Sequence, residues 1–485
     1  MATQKNTGNT KSIVHIIIGV LLMLVIGFLP AREPITDYGM HVLGIFVGMV
    51  YLWITSSVLW PSILGIVAMM LLGHDTPGNI IAAAFGTDTV WFIIFISVLL
   101  IPMTQEHVTA FIAKFFLTRK FAQGRPWVFI YLFTFTTFVV AMVSNAVPAI
   151  MLMWAILYSI FEVSDIKRSD KISGFLVFSV VYGAALGTAT FPFKGAMMII
   201  LNAFMKVSEI QVNLVGYWVL AMIVSAVLIL GLVIFGKFVF KIDTSKLTNT
   251  DVNGYFTANG LVKMNARQKA LLILLGVNTL LLLWPSIMPA GWWTTTMVSR
   301  LSSFGSTALI LVLMMVIRMD GKPLIDFKSA AAKLGWDVVF LVAGALYVAG
   351  QLSNADSGIV PFIKTLLGSA ITGGSEIVIL LIFLVLGFVV TNFANNAAMG
   401  VMLMPVLFAV TQNGPYHAVV IAACLAMVLF QAFLTPAASP HASLLHGNKE
   451  WIESKDIYRY AFTISIFSVL LIALVGYPLG LVLLG

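Results

Sequence analysis

The sequence predicts an all-α polytopic membrane protein, with eleven transmembrane helices and two re-entrant hairpins in two inverted-topology repeats. Three observations carry that reading. Hydrophobic residues make up 60% of the chain and charged residues only 9%, with a mean hydropathy of +1.03, too little polar surface to cover a water-soluble fold. The apolar runs are long enough for helices and lack the ten-residue alternation of a barrel, and these are the two ways of satisfying backbone groups in hydrocarbon. A pattern also repeats: Asn145-Ala146 followed by Met151-Leu152-Met153 returns as Asn396-Ala397 followed by Met402-Leu403-Met404, 251 positions later.

Taken in order, residues 1–34 form an N-terminal transmembrane helix behind a polar start carrying Lys5 and Lys11. No small-residue cleavage pattern follows, so the span is expected to be retained. Residues 35–241 form repeat 1, with scaffold spans near 38–56, 58–73 and 88–105, a hairpin over 127–162, a broken helix over 175–205 and a span over 213–241. Residues 242–267 form a cytoplasmic loop, and 268–485 form repeat 2. Its spans lie near 268–288, 293–317 and 336–352, followed by a hairpin over 375–412, a broken helix over 416–445 and a last span over 461–484. Cations concentrate at Arg119, Lys120 and Arg125, at Lys167, Arg168 and Lys171, at Lys246, Lys263 and Arg267, at Arg318, Lys322, Lys328 and Lys333, and at Lys449, Lys455 and Arg459. By the positive-inside rule these segments are cytoplasmic, which puts the N-terminus inside and the C-terminus outside.

The net charge of +8 is scattered between apolar runs and forms no basic stripe, so no nucleic-acid partner is expected. Cys424 is the single cysteine, which excludes an intrachain disulfide and a thiol metal cluster. The histidines lack ligand spacing, so no metal and no cofactor are expected. Asp88 and Asp337 open matching helices and read as helix caps.

The repeat extends beyond the echo. Phe111-Ile112 matches Phe362-Ile363 at the same offset, and Pro192 matches Pro440 at 248. Each half holds five crossings and one hairpin, an odd number, so the second copy must lie upside down, an arrangement typical of transporters. Four interruptions fall in matching places. The hairpin tips read Ser144-Asn145-Ala146-Val147-Pro148 and Thr391-Asn392-Phe393-Ala394-Asn395-Asn396-Ala397. The helix breaks read Gly187-Thr188-Ala189-Thr190-Phe191-Pro192-Phe193-Lys194 and Thr435-Pro436-Ala437-Ala438-Ser439-Pro440-His441. Proline removes a backbone donor and Gly187 permits the turn. Half-helices then end in mid-membrane, with N-terminal amides suited to carboxylate oxygens, and two facing tips suit two carboxylates.

On these motifs the chain resembles the divalent anion:sodium symporter (DASS) family of dicarboxylate carriers, whose hairpin tips carry Ser-Asn-Thr and whose broken helices carry proline. The resemblance covers the whole span pattern and implies a homodimer in a bacterial plasma (inner) membrane. It also implies a static scaffold and a transport domain that moves as an elevator. The substrate-binding set is then Ser144, Asn145, Ala146, Thr188, Lys194, Asn395, Asn396, Ala397, Pro436, Ser439 and His441. The tips depart from the family motif at Ala146, Asn395 and Ala397, and Val140 stands where a hydroxyl would help to coordinate sodium. Lys194 and His441 add bases beside the breaks and are read as substituting for the cation. A fixed charge would be costly to move through low dielectric without a bound dianion, so the expectation is sodium-independent exchange of C4 or C5 dicarboxylates such as malate, succinate, fumarate or 2-oxoglutarate. The alternative is a sodium-coupled di- or tricarboxylate symporter. An anion channel and a membrane enzyme using Lys194 and His441 as acid and base are weaker readings, and the chain is expected not to be an enzyme.

Overall fold

The computed structural model describes residues 6–119, 124–193, 195–247, 253–289, 291–352, 354–359, 361–362, 375–393, 395–412, 414–436 and 438–485. Lys194, Ala394 and Ala437 therefore lie outside the described residues. The chain is an all-α polytopic membrane protein. Among the described residues nine helices are long and apolar enough to cross a membrane, and the only strands are the two-residue pair Arg318–Met319 and Lys322–Pro323.

Both hairpins form where the apolar runs are interrupted. Hairpin 1 consists of helices Pro126–Val143 and Ala146–Val163, and hairpin 2 of Glu376–Thr391 and Asn396–Thr411. Each broken run gives two half-helices: Lys171–Thr190 and Gly195–Ser208 in the first, Ala418–Val428 and Pro440–Gly447 in the second. Pro192, which cannot donate to the ladder, follows the end of Lys171–Thr190, and Pro440 opens its helix at the position where a donor is not needed. Short helices at Pro77–Phe85, Val108–Leu117, Asn253–Ala258 and Phe327–Ala331 were not expected from the apolar runs.

Helix Lys171–Thr190 is the central post, with almost every residue buried. Gly183 and Gly187 lie four apart on one face, and there the helix meets the first arm of hairpin 1. A Cβ at Gly183 would lie 2.6 Å from the Thr134 carbonyl oxygen, and one at Gly187 would lie 2.2 Å from that of Phe138. Small residues at this spacing allow membrane helices to approach backbone to backbone. The expected role of Gly187 is thereby corrected: it sits inside a helix and permits a contact, not a turn. The left-handed residue after the break is Gly195, with φ of 50°, a conformation that suits glycine because no Cβ is present to clash.

The aspartate reading is also corrected. Helix Asp88–Gln105 is capped by Thr87, whose hydroxyl accepts from the Val90 amide. The Asp88 carboxylate instead accepts a 2.7 Å bond from the Ser302 hydroxyl, at a kink in helix Trp293–Val316 where Ser302 has φ of 57°. On the polar ends, Arg267 bonds Glu106 at 2.9 Å and the carbonyls of Pro323 and Leu324 at 2.8 and 2.9 Å. This ties helix Ala266–Ile287 to the small strand pair.

Candidate functional site

The two hairpin tips and both helix breaks open onto one cavity of about 330 Å³. Asn145, Ala146, Thr188, Asn395, Asn396, Ala397, Ser439 and His441 line it. Ser144 and Pro436, also expected at the site, are not among its lining residues. The Ser144 hydroxyl turns back to the Val140 carbonyl at 2.7 Å, and Pro436 lies on the exposed outside of its loop, where its carbonyl accepts from Ser443. Lys194 lies outside the described residues, while its neighbour Gly195 lines the cavity.

The opposite wall comes from helices Asp88–Gln105 and Trp336–Leu352, through Ile93, Ser97, Ile101, Val338, Val339 and Leu341. Lys333 stands exposed at the rim with Leu334 and Gly335. In the sequence Lys333 is legible only as a topology marker. Its place at the cavity depends on helix Trp336–Leu352 folding back against Gly195–Ser208 and Asn396–Thr411, which no local pattern reveals.

The two tips are built differently. At the first, Asn145 occupies the N-cap position of Ala146–Val163 but bonds no amide of that helix, and it is exposed to the cavity. The amides of Ala146 and Val147, ahead of Pro148, thus remain available to an anion, together with the positive end of the helix dipole. At the second, Asn395 caps its own helix, accepting from the amides of Ala397 at 3.0 Å and Ala398 at 3.3 Å. Asn396 Oδ1 lies 3.1 Å from the Thr391 hydroxyl.

Groups freed by the breaks find partners nearby, as hydrocarbon requires. The Tyr217 hydroxyl donates to the Ala189 carbonyl at 2.7 Å. The Thr188 hydroxyl donates to Ala184 at 2.9 Å. In the second break the Ser439 hydroxyl accepts from the Ala442 amide and donates to the Ala432 carbonyl, both at 3.1 Å. His441 is 4% exposed, packs edge-on to Phe433, and its Nε2 has no hydrogen-bond partner among the described residues. No group of three or more His, Cys, Asp or Glu able to hold a metal occurs among the described residues.

Half-helix ends and irregular backbone gathered around one small cavity, inside a bundle of spanning helices, define a secondary transporter of small anions. The chain belongs to the sodium:sulfate symporter, or divalent anion:sodium symporter, family: the family's "Sodium:sulfate symporter transmembrane region" matches residues 10–484. It is similar to the sodium-dependent dicarboxylate transporter SdcS of Staphylococcus saprophyticus, at 24% identity over 486 residues, covering 97% of this chain and 91% of that protein. Its similarity to SdcS of Staphylococcus aureus strain MRSA252 is 23% over 500 residues, covering 99% and 94%. Among solved structures it is similar in fold to the Alcanivorax borkumensis YdaH transporter, with a TM-score of 0.52, 13% identity and 96% of each chain covered.

Proposed function

We propose that this protein carries C4 or C5 dicarboxylates across a bacterial plasma membrane, one carboxylate at each hairpin tip. The observation that carries the reading is the meeting of Asn145 and Asn396 in one cavity with both helix breaks. A volume of about 330 Å³ lies at the small end of ligand cavities, roughly 300–1,000 Å³, and suits a compact dianion. Residues 1–34, 35–241, 242–267 and 268–485 are then the first span, repeat 1, the cytoplasmic loop and the inverted repeat 2. Cations near Arg119, Lys246 and Lys333 mark the cytoplasmic side, with the N-terminus inside and the C-terminus outside. The hairpins and broken helices move as an elevator against the scaffold in a homodimer.

Two coupling modes are open to such a carrier. The names of the SdcS relatives favour sodium-coupled symport, which we take as the first reading. Sodium-independent exchange, with Lys194 and His441 as fixed bases in place of the cation, is the second. Proteoliposomes separate the two. Symport predicts uptake into vesicles empty of dicarboxylate, driven by a sodium gradient; exchange predicts uptake only with internal dicarboxylate, whatever the sodium gradient. Absence of dicarboxylate movement in both formats would reject the substrate class.

A further inference from the structure

Asn392, in the turn of hairpin 2, is 1% exposed, and its side-chain amide uses all of its bonding capacity on backbone. Its Oδ1 accepts from the amides of Phe433 at 3.0 Å and Leu434 at 2.8 Å. Its Nδ2 donates to the carbonyls of Phe388 at 2.8 Å and Gln431 at 3.2 Å. The Asn392 carbonyl in turn accepts from the Thr435 hydroxyl at 2.6 Å. Beside it, the Thr391 hydroxyl lies 2.5 Å from the Leu429 carbonyl and 3.1 Å from Oδ1 of the cavity-lining Asn396.

These contacts join the second tip to the unwound segment 429–435 through protein atoms. Unwound carbonyls at half-helix ends are the groups that coordinate cations in carriers of this kind. Here the carbonyls of Leu429, Gln431 and Asn392 each accept from a side-chain donor, so the tie between tip and broken helix is made without a cation. The position 251 residues earlier is Ala141, whose methyl side chain cannot form an amide clamp. Hairpin 1 is fixed instead by the glycine face of helix Lys171–Thr190.

We propose that Asn392 is the positioning residue of the second carboxylate subsite: it preassembles tip and broken helix from protein atoms, so that any sodium requirement of the carrier resides at the first tip, around Asn145 and Thr188. This rests on the dicarboxylate reading for what the subsite binds, though not for the clamp itself. Two readouts on the purified full-length protein test it. Hydrogen exchange should show segments 392–398 and 429–435 equally protected with and without sodium. In Asn392→Ala that protection should be lost while helix Lys171–Thr190 keeps its own.

In proteoliposomes Asn392→Ala should raise KM for succinate about tenfold with Vmax nearly unchanged, because the binding-competent tip is populated a tenth as often. Should Asn392→Ala not fold, Thr435→Val, which removes a single donor to the Asn392 carbonyl, should still raise KM several-fold. Sodium-induced protection of 429–435, or an unchanged KM in these variants, overturns the proposal. If sodium protects neither tip, the clamp is supported and sodium coupling is not. If the wild type moves no succinate, the substrate reading fails while the exchange pattern still decides the clamp.

Discussion

Gly187→Ala is the sharpest perturbation of the architecture that holds the first tip. The new methyl would sit 2.2 Å from the Phe138 carbonyl oxygen and 3.0 Å from the Ala141 Cβ, whereas ordinary contacts begin near 3.4 Å. Helix Lys171–Thr190 and the arm Pro126–Val143 must therefore separate by about 1 Å, and overpacking of this kind costs about 1–3 kcal/mol. Neither partner can relieve the clash by rotating a side chain, since the obstacle is backbone. The displaced arm ends at Ser144-Asn145, so the strain should reach the tip as well as the overall stability. At about 1.4 kcal/mol per factor of ten, the substrate KM should rise roughly 5- to 140-fold if the whole cost is felt at the tip. The assay is uptake kinetics in proteoliposomes, paired with thermal unfolding in detergent. Gly78→Ala is the control, because its Cβ would meet nothing within 4 Å. Wild-type stability and KM in Gly187→Ala would refute the reasoning that this glycine face fixes hairpin 1.

Two further outcomes follow from other contacts. Lys333 is exposed at the cavity rim, so Lys333→Ala should raise KM by about two- to fivefold at low ionic strength, and the difference should shrink toward nothing near 1 M salt as screening sets in; kinetics across a salt series check it. The Lys246 ammonium, 2.7 Å from Asp170, together with the Lys167 backbone amide, holds the Asp170 carboxyl below its ordinary range. A lowered folded-state value stabilises the fold above the unfolded-state value and loses that contribution as pH falls through the folded one. Asp170→Asn should accordingly melt below the wild type at neutral pH and converge with it in acid, in melting curves recorded across pH.

Hairpin boundaries were legible almost to the residue, 127–162 against Pro126–Val163 and 375–412 against Glu376–Thr411, because an apolar run interrupted by asparagines has few ways to satisfy its backbone in a membrane. The cavity-lining asparagines were legible for the same reason. What escaped was anything decided by a partner distant in the chain. Pro192 signalled a break in the ladder, yet only the packed structure shows Gly187 facing the Phe138 carbonyl and Tyr217 completing the Ala189 carbonyl. Asn392 reads as one polar residue among several in a tip; four of its five partners lie 39–43 positions later in the chain. Ser144 reads as a substrate ligand through the resemblance to the Ser-Asn-Thr tip, while its hydroxyl donates to the Val140 carbonyl of the preceding arm, a contact the tip motif does not show. Short amphipathic helices such as Val108–Leu117 were hidden because ten residues fall below the span threshold used to find the others.

The central claim is that both hairpin tips grip one dianion at the same time. Thermal stabilisation of the purified protein by succinate and by butyrate, a pair matched in chain length and differing by one carboxylate, measures this most directly. The account predicts a clear upward shift with succinate, little with butyrate, and loss of the succinate shift in both Asn145→Ala and Asn396→Ala. Equal shifts with the two acids, or a succinate shift that survives removal of either asparagine, would contradict it.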